Sequence, residues 1–227
     1  NVTRLYSVNY YNNPKREIKR IKDLLDKITG KDKRSGSGIS RVQKPYKYAQ
    51  LSQKFESTNY VTSGENDSEL IARIKAIVAA EEPISEDFLI RRTFASLGII
   101  KSGTKAEGRM RDLIPLCKFN REKLVGAFYY RKTDKAAAYD KCRVENSEKA
   151  VRKVENDYSP YEIIALIRAA LEDKVALYQD EIFNIVCVVM RVNRATDKFA
   201  AYVNDCITLG EEKGFFVRSV SDRISLA

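Results

Sequence analysis

The sequence predicts a mainly helical α+β protein: two copies of one unit, each of three helices closed by a short β-hairpin, preceded by an amphipathic basic helix. Three observations predict it. The chain matches itself at a constant offset of 93 residues, helix start and stop signals recur at that offset, and each copy ends in a stretch of strand-forming residues after a polar turn.

The repeat is the strongest of these. ELIARIKAIV from Glu69 falls on EIIALIRAAL from Glu162, and the register continues without a gap. Asp87 meets Asp180, Lys105 meets Lys198, Asp112 meets Asp205 and Ile114 meets Ile207. Ile84, Leu89, Ala95, Leu97, Ile99 and Met110 meet Leu177, Ile182, Val188, Met190, Val192 and Val203. Identity is low, but the apolar register is kept, as expected for two copies of one supersecondary unit.

Before the repeat, NNPKREIKRIKDLLDKITG reads as a helix, with Asn13 as N-cap, Pro14 in the first turn and Gly30 as the stop. Ile18, Ile21, Leu24, Leu25 and Ile28 form one apolar stripe, while Lys15, Arg16, Lys19 and Lys22 line the other face. KDKRSGSGISRVQKPYKYAQ then has the Gly, Ser and Lys content of a flexible linker, in which Tyr46 and Tyr48 are candidates for stacking on bases.

In the first copy, helix one is expected over 68–80 with Ile71, Ile74, Ile77 and Val78 inward. Helix two is announced by Pro83 and by Ser85 as N-cap, with Glu86 and Asp87 suited to the positive end of its dipole, and it stops at Gly98. Helix three starts near Thr104 with Met110, Leu113, Ile114 and Cys117 inward, and Pro115 shortens or kinks it. The strand candidates are LVGAFYYR, 124–131, and GFFVRS, 214–219. Three helices followed by a hairpin is the plan of a winged-helix unit, with helix three as the reader. The expected division is a basic helix and linker over 1–66, units over 67–132 and 158–227, and a polar connection over 133–157.

Charge and composition limit the function. Asn1–Asn66 holds fourteen Lys and Arg against six Asp and Glu, so most of the net +10 belongs to this arm and the tandem body is nearly neutral. The chain has no His, which removes the commonest general base and metal ligand. Its four Cys are widely spaced, without a C-x-x-C pair, and are expected to be reduced. No phosphate-binding loop of the G-x-x-x-x-G-K-[ST] type is present. Asp157 with Glu172-Asp173-Lys174, and Asp205 with Glu211-Glu212-Lys213, imitate the D…E-x-K spacing of metal-dependent nucleases, a pattern that a chain with 32% charged residues also produces by chance. We expect no catalytic residue, metal or cofactor in this chain, and a cytoplasmic location without membrane association.

The expected DNA contacts are Lys105 and Arg109 on helix three, Lys198 and Tyr202 at the repeated positions, Arg131 and Arg218 at the ends of the hairpins, and Lys15, Lys19 and Lys22 on the basic helix. Arg91 and Arg92 sit on helix two, and their repeat equivalents are Asn184 and Ile185. They are therefore expected to support the fold rather than read DNA, for example by pairing with Glu86, Asp87 or Glu107. Helix two of the second copy, EIFNIVCVVM, is apolar on nearly all sides and needs a cover.

Three stretches carry a family resemblance. EEPISEDFLIRRTFASLGIIKSGTK is similar to a segment of an uncharacterised domain at the C-terminus of large bacterial superfamily I DNA helicases. YDKCRVENSEKAVRKVENDYSPYEIIALIRAAL resembles the join between that domain's two helical units, and VTRLYSVNYYNNPKREIKRI resembles the tail of the restriction-endonuclease-like domain before it. Tyr6 stands where the family has Trp, and Phe128–Tyr130 lacks the family's Trp-containing hairpin end. The resemblance implies a non-catalytic accessory module of a longer protein. It implies as partners the helicase and nuclease domains of the parent; duplex DNA is the partner expected from the winged-helix plan, and a second copy, as a homodimer, is one candidate cover for the apolar helix two of the second unit. The alternative expectation is a module that docks protein rather than DNA.

Overall fold

The computed structural model describes residues 38–132, 140–145 and 152–227. The expected basic helix, with Lys15, Lys19 and Lys22, lies outside them. The described residues form a mainly helical α+β structure with three small sheets.

The first part runs α1 (Gly38–Val42), β1 (Gln43–Pro45), α2 (Thr58–Thr62), α3 (Asp67–Glu81), β2 (Ile84–Ser85), α4 (Glu86–Ser96) and α5 (Thr104–Leu113). A 3-10 turn over Ile114–Cys117 follows, then β3 (Asn120–Leu124) and β4 (Ala127–Arg131). After β5 (Cys142–Val144) and α6 (Val154–Asp157), the second part repeats the order: α7 (Pro160–Lys174), β6 (Ala176–Leu177), α8 (Gln179–Val189), α9 (Asp197–Glu212), β7 (Phe216–Arg218) and β8 (Ile224–Leu226). Each unit's sheet runs first strand, last strand, middle strand, β2-β4-β3 and β6-β8-β7.

The repeat read from sequence is present in the backbone. α3 and α7, and likewise α4 and α8, begin and end at the same offset of 93, and α5 and α9 begin at it. Buried pairs follow: Leu70 and Ile163, Ile74 and Ile167, Leu89 and Ile182, Met110 and Val203, Ile114 and Ile207. Even the turn after the second helix is shared. Gly98 (φ 69°) and Arg191 (φ 55°) both take the left-handed conformation, and the amides of Ile99 and Val192 bond back to the carbonyls of Phe94 and Cys187 at 3.0 and 2.9 Å. That is the geometry of a Schellman stop. In the first copy it carries the Gly that makes it cheap; the second places Arg there.

Local signals hold the helix starts. Ser85 Oγ accepts from the Phe88 amide at 3.3 Å, and Thr196 Oγ1 accepts from the Phe199 amide at 3.2 Å. Ser159, Pro160 and Glu162 open α7 with a capping box. Pro115 falls where α5 tightens into the 3-10 turn, as expected. Ile71 is half-exposed, and Leu70 takes the inward place instead.

Two expectations about the chain's course are corrected. LVGAFYYR is not one strand: Val125 (φ 45°) and Gly126 (φ 78°) form a two-residue hairpin turn, so Leu124 ends β3 and Ala127 starts β4. The Gly/Ser/Lys-rich stretch is not a free linker from Gly38 onward. β1 pairs in parallel with β5, the Gly38 amide donates to the Asp173 carboxylate at 2.9 Å, and Tyr46 is buried beneath α3. Enough apolar and aromatic surface lies past residue 38 for burial to outweigh the chain's composition.

β4 joins the two cores. Successive side chains of a strand point to opposite faces, so Tyr130 packs in the first cluster while Tyr129 packs in the second with Tyr161, Ile164 and Phe216. Gly210 of α9 lies against the buried Phe216 ring, where a Cβ would overlap ring atoms. Gly210→Ala is expected to lower stability by about 1–3 kcal/mol through overpacking, measured by urea unfolding. A neutral or stabilising result would show that the Phe216 ring moves aside freely.

Candidate nucleic-acid interface

The third helices carry four of the six sequence-predicted contacts that lie among the described residues, and these divide into open and occupied positions. Lys105 and Lys198 are exposed in the first turns of α5 and α9 and make no ion pair among the described residues. One turn further lie Gly108 and Ala201, also at repeated positions. A Cβ on Gly108 would meet nothing within 4 Å, and Ala201 is exposed. Each third helix therefore presents a lysine followed by a flat, open patch.

Arg109 and Tyr202, one residue beyond those patches, serve the fold. Arg109 pairs with Asp67 at the start of α3. The Tyr202 hydroxyl donates to the Tyr158 carbonyl at 2.6 Å beside Tyr129, and the residue is 5% exposed. Burial drives the Tyr202 hydroxyl pKa well up. Both residues tie helix three to the start of helix one, so the expectation that Tyr202 faces DNA is corrected: its ring belongs to the second core. Arg131 lies at the base of the hairpin rather than its tip, its side chain 12% exposed and paired with Glu122 at 2.8 Å. Arg218 pairs with Glu211 at 2.9 Å and Asp222 at 3.5 Å and bonds Gln179 at 3.2 Å.

Arg91 and Arg92 pair with acids inside the fold, Asp157 and Glu81 rather than the example partners Glu86, Asp87 or Glu107. Arg91 pairs with buried Asp157, and Arg92 forks onto buried Glu81 with bonds of 2.9 to 3.1 Å. Glu81 also accepts from the Tyr46 hydroxyl at 2.8 Å and the Ala49 amide at 2.9 Å. Glu86 and Asp87 are instead reached by Arg111 at 3.5 and 3.2 Å. Tyr46, a candidate for stacking on bases, is held in the interior: its ring lies 4.2 Å below the Arg152 guanidinium, and burial pushes its hydroxyl pKa far up. Tyr48 bonds Glu145.

The densest charged cluster was not foreseen. Glu162 is fully buried and accepts from Arg143 Nε at 3.0 Å, Arg152 at 2.7 Å and the Ser159 amide at 3.0 Å. Burial alone would raise its carboxyl, but the two guanidiniums outweigh this and hold it at about 2. Arg152 is sandwiched between Tyr46 and Tyr158, and Arg143 also reaches the carbonyls of Glu81, Glu82 and Pro83 at 2.7, 2.9 and 2.8 Å. The repeat-equivalent Glu69 plays the same part in the first unit. It accepts from Lys54, Tyr60 and Arg73 at 2.7, 2.6 and 3.0 Å, and these bonds hold its carboxyl at about 2. In each unit an acid in the first turn of helix one clamps the segment before it. The S-P-Y-E run has the form of a capping box, a local signal that could have marked Glu162; nothing local marks its arginines.

The acids of the first nuclease-like spacing are similarly engaged. Asp157 is buried against Arg91 and the Lys153 amide, Glu172 pairs with Arg41 at 3.2 Å, and Asp173 holds the Gly38 amide. Among the described residues no group of three or more His, Cys, Asp or Glu is placed to hold a metal ion. All four cysteines are free, Cys187 alone being half-buried rather than buried. No described helix is long and apolar enough to cross a membrane.

Comparison with known proteins found no matching family model, no matching curated protein and no matching solved structure.

Proposed function

We propose that this chain is a non-catalytic accessory module that binds and positions duplex DNA through two winged-helix units. The observation that carries the reading is the surface shared by the third helices: an exposed lysine at 105 and 198, then side-chain-free or short positions at 108 and 201. The order helix, strand, helix, helix, hairpin supports it, because such units can lay the third helix in the major groove while flanking residues contact phosphates. A glycine in mid-helix costs stability, and Gly108 answers no packing need inside the protein. A close approach of the helix backbone to a groove accounts for it. The resemblance to helicase C-terminal domains supports placing this module beside a helicase motor and nuclease in a longer protein.

Fluorescence anisotropy with labelled duplex DNA over a salt series tests the reading. Each of Lys105→Ala and Lys198→Ala is expected to reduce the salt slope by about 1. Gly108→Leu is expected to raise stability by about 0.5–1 kcal/mol while lowering DNA affinity. Unchanged affinity in all three would remove helix three as the reader.

A second reading, docking of a protein partner on the same face, is favoured by Ile100 and Leu116, 96% and 59% exposed at either end of α5. Binding that is insensitive to salt and lost in Ile100→Asp would select it.

A further inference from the structure

We infer that the turn between α8 and α9, residues 191–198, grips the phosphate backbone of duplex DNA through Arg191 and Arg194. The inference rests on the proposed binding of duplex DNA and names the residues, besides Lys198, that anchor it to the second unit. Every other arginine among the described residues pairs with an acid or lies over an aromatic ring. Arg191 and Arg194 do neither, and both are exposed. They are thus the guanidiniums left open to fork onto phosphate oxygens.

The backbone singles out Arg191. Its φ of 55° is the left-handed conformation that glycine adopts most readily, and the first copy has Gly98 at this place, with φ 69°. Gly98 is also closed in: a Cβ there would stand 2.7 Å from the Lys54 carbonyl oxygen and 3.0 Å from the Phe55 ring. The second turn keeps the strained conformation but carries a long cation, and no side-chain contact of Arg191 among the described residues offsets the strain. Arg194 is singled out by the repeat instead. Lys101 meets Arg194 and Lys105 meets Lys198 at the offset of 93, so both copies keep one cation ahead of helix three and one in its first turn. Of residues 191–198 all but Val192 are exposed. They hold three cations against one acid, Asp197, which lies in the first turn of α9. With α9 laid in a groove, the turn before it meets the flanking sugar-phosphate strand, where arginines fix the helix's position without reading sequence.

Fluorescence anisotropy of the full chain on a labelled duplex, over a salt series, tests the grip alongside thermal unfolding. The double variant Arg191→Gly/Arg194→Ala is expected to lower the salt slope by about 2 and the affinity at 0.1 M salt by about sixtyfold, the counterion release of two phosphates. Lys75→Ala, an exposed cation on α3, should leave both unchanged. Arg191→Gly restores the residue of the first copy and should not lower the thermal midpoint, whereas a lowered midpoint would assign Arg191 to the fold and overturn the inference. An equal loss in Lys75→Ala would overturn it too, by reducing the effect to overall charge. If the wild type binds and Lys198→Ala lowers the slope while the double variant does not, this inference fails and the proposed function stands. No duplex binding by the wild type at low salt overturns both.

Discussion

Glu162→Gln is expected to destabilise the fold by about 3–5 kcal/mol, the cost of leaving buried charges without their partner. Arg143 and Arg152 lose the carboxylate they share, and both are buried: the Arg152 side chain is 1% exposed and that of Arg143 10%. Chemical denaturation at neutral pH measures the change. The pH dependence should follow from the same pair. The Glu162 carboxyl is held at about 2, below its ordinary 4.5, so its contribution is complete above the unfolded value and is lost as pH falls from about 4.5 towards 2. The wild-type chain should therefore lose stability through that window more steeply than Glu162→Gln. Parallel curves, or a loss below about 1 kcal/mol at neutral pH, would mean that the cluster is open to solvent.

Arg143→Ala is expected to cost a similar amount, about 3–5 kcal/mol, and to change the cooperativity as well. The Arg143 side chain sits between the units, one edge on Glu162 of α7 and the other on the carbonyls of Glu81, Glu82 and Pro83 after α3. Its loss strips three carbonyls of a charged donor and weakens the link between the two cores. Calorimetry should show a single transition in the wild type that broadens or divides in the variant. Arg143→Lys should rescue little, because an ammonium cannot span acceptors on two sides as the planar guanidinium does. One sharp transition in Arg143→Ala would assign the coupling to β4 and the Tyr129–Tyr202 contact instead.

The two predictions concern a part of the protein that sequence patterns barely announced. Stripe, cap and turn residues placed α3, α4, α5 and their copies within a residue or two, because a helix is specified by neighbours three and four positions apart. The same patterns misplaced Tyr46 and Tyr202. Each ring fits a local motif, a basic tyrosine-rich linker and the wet edge of a helix. Its true surroundings come from residues 35 and 44 positions away, Glu81 and the Tyr158 carbonyl. The candidate interface was half legible: Lys105 and Lys198 are where the repeat put them, open to solvent. Arg109, Arg131 and Arg218 are held by acids that composition alone could not pair with them.

Periodicity, capping and self-similarity are properties of short stretches, so the chain's own order was sufficient to determine the helices, their offset of 93 and the bias of positive charge toward the first 66 residues. Tertiary structure alone decided which charges are spent inside the fold. A buried carboxylate must be neutralised by whichever guanidinium the folded backbone brings within reach, and that choice joined Glu162 to Arg143 and Arg152, Glu81 to Arg92 and Asp157 to Arg91.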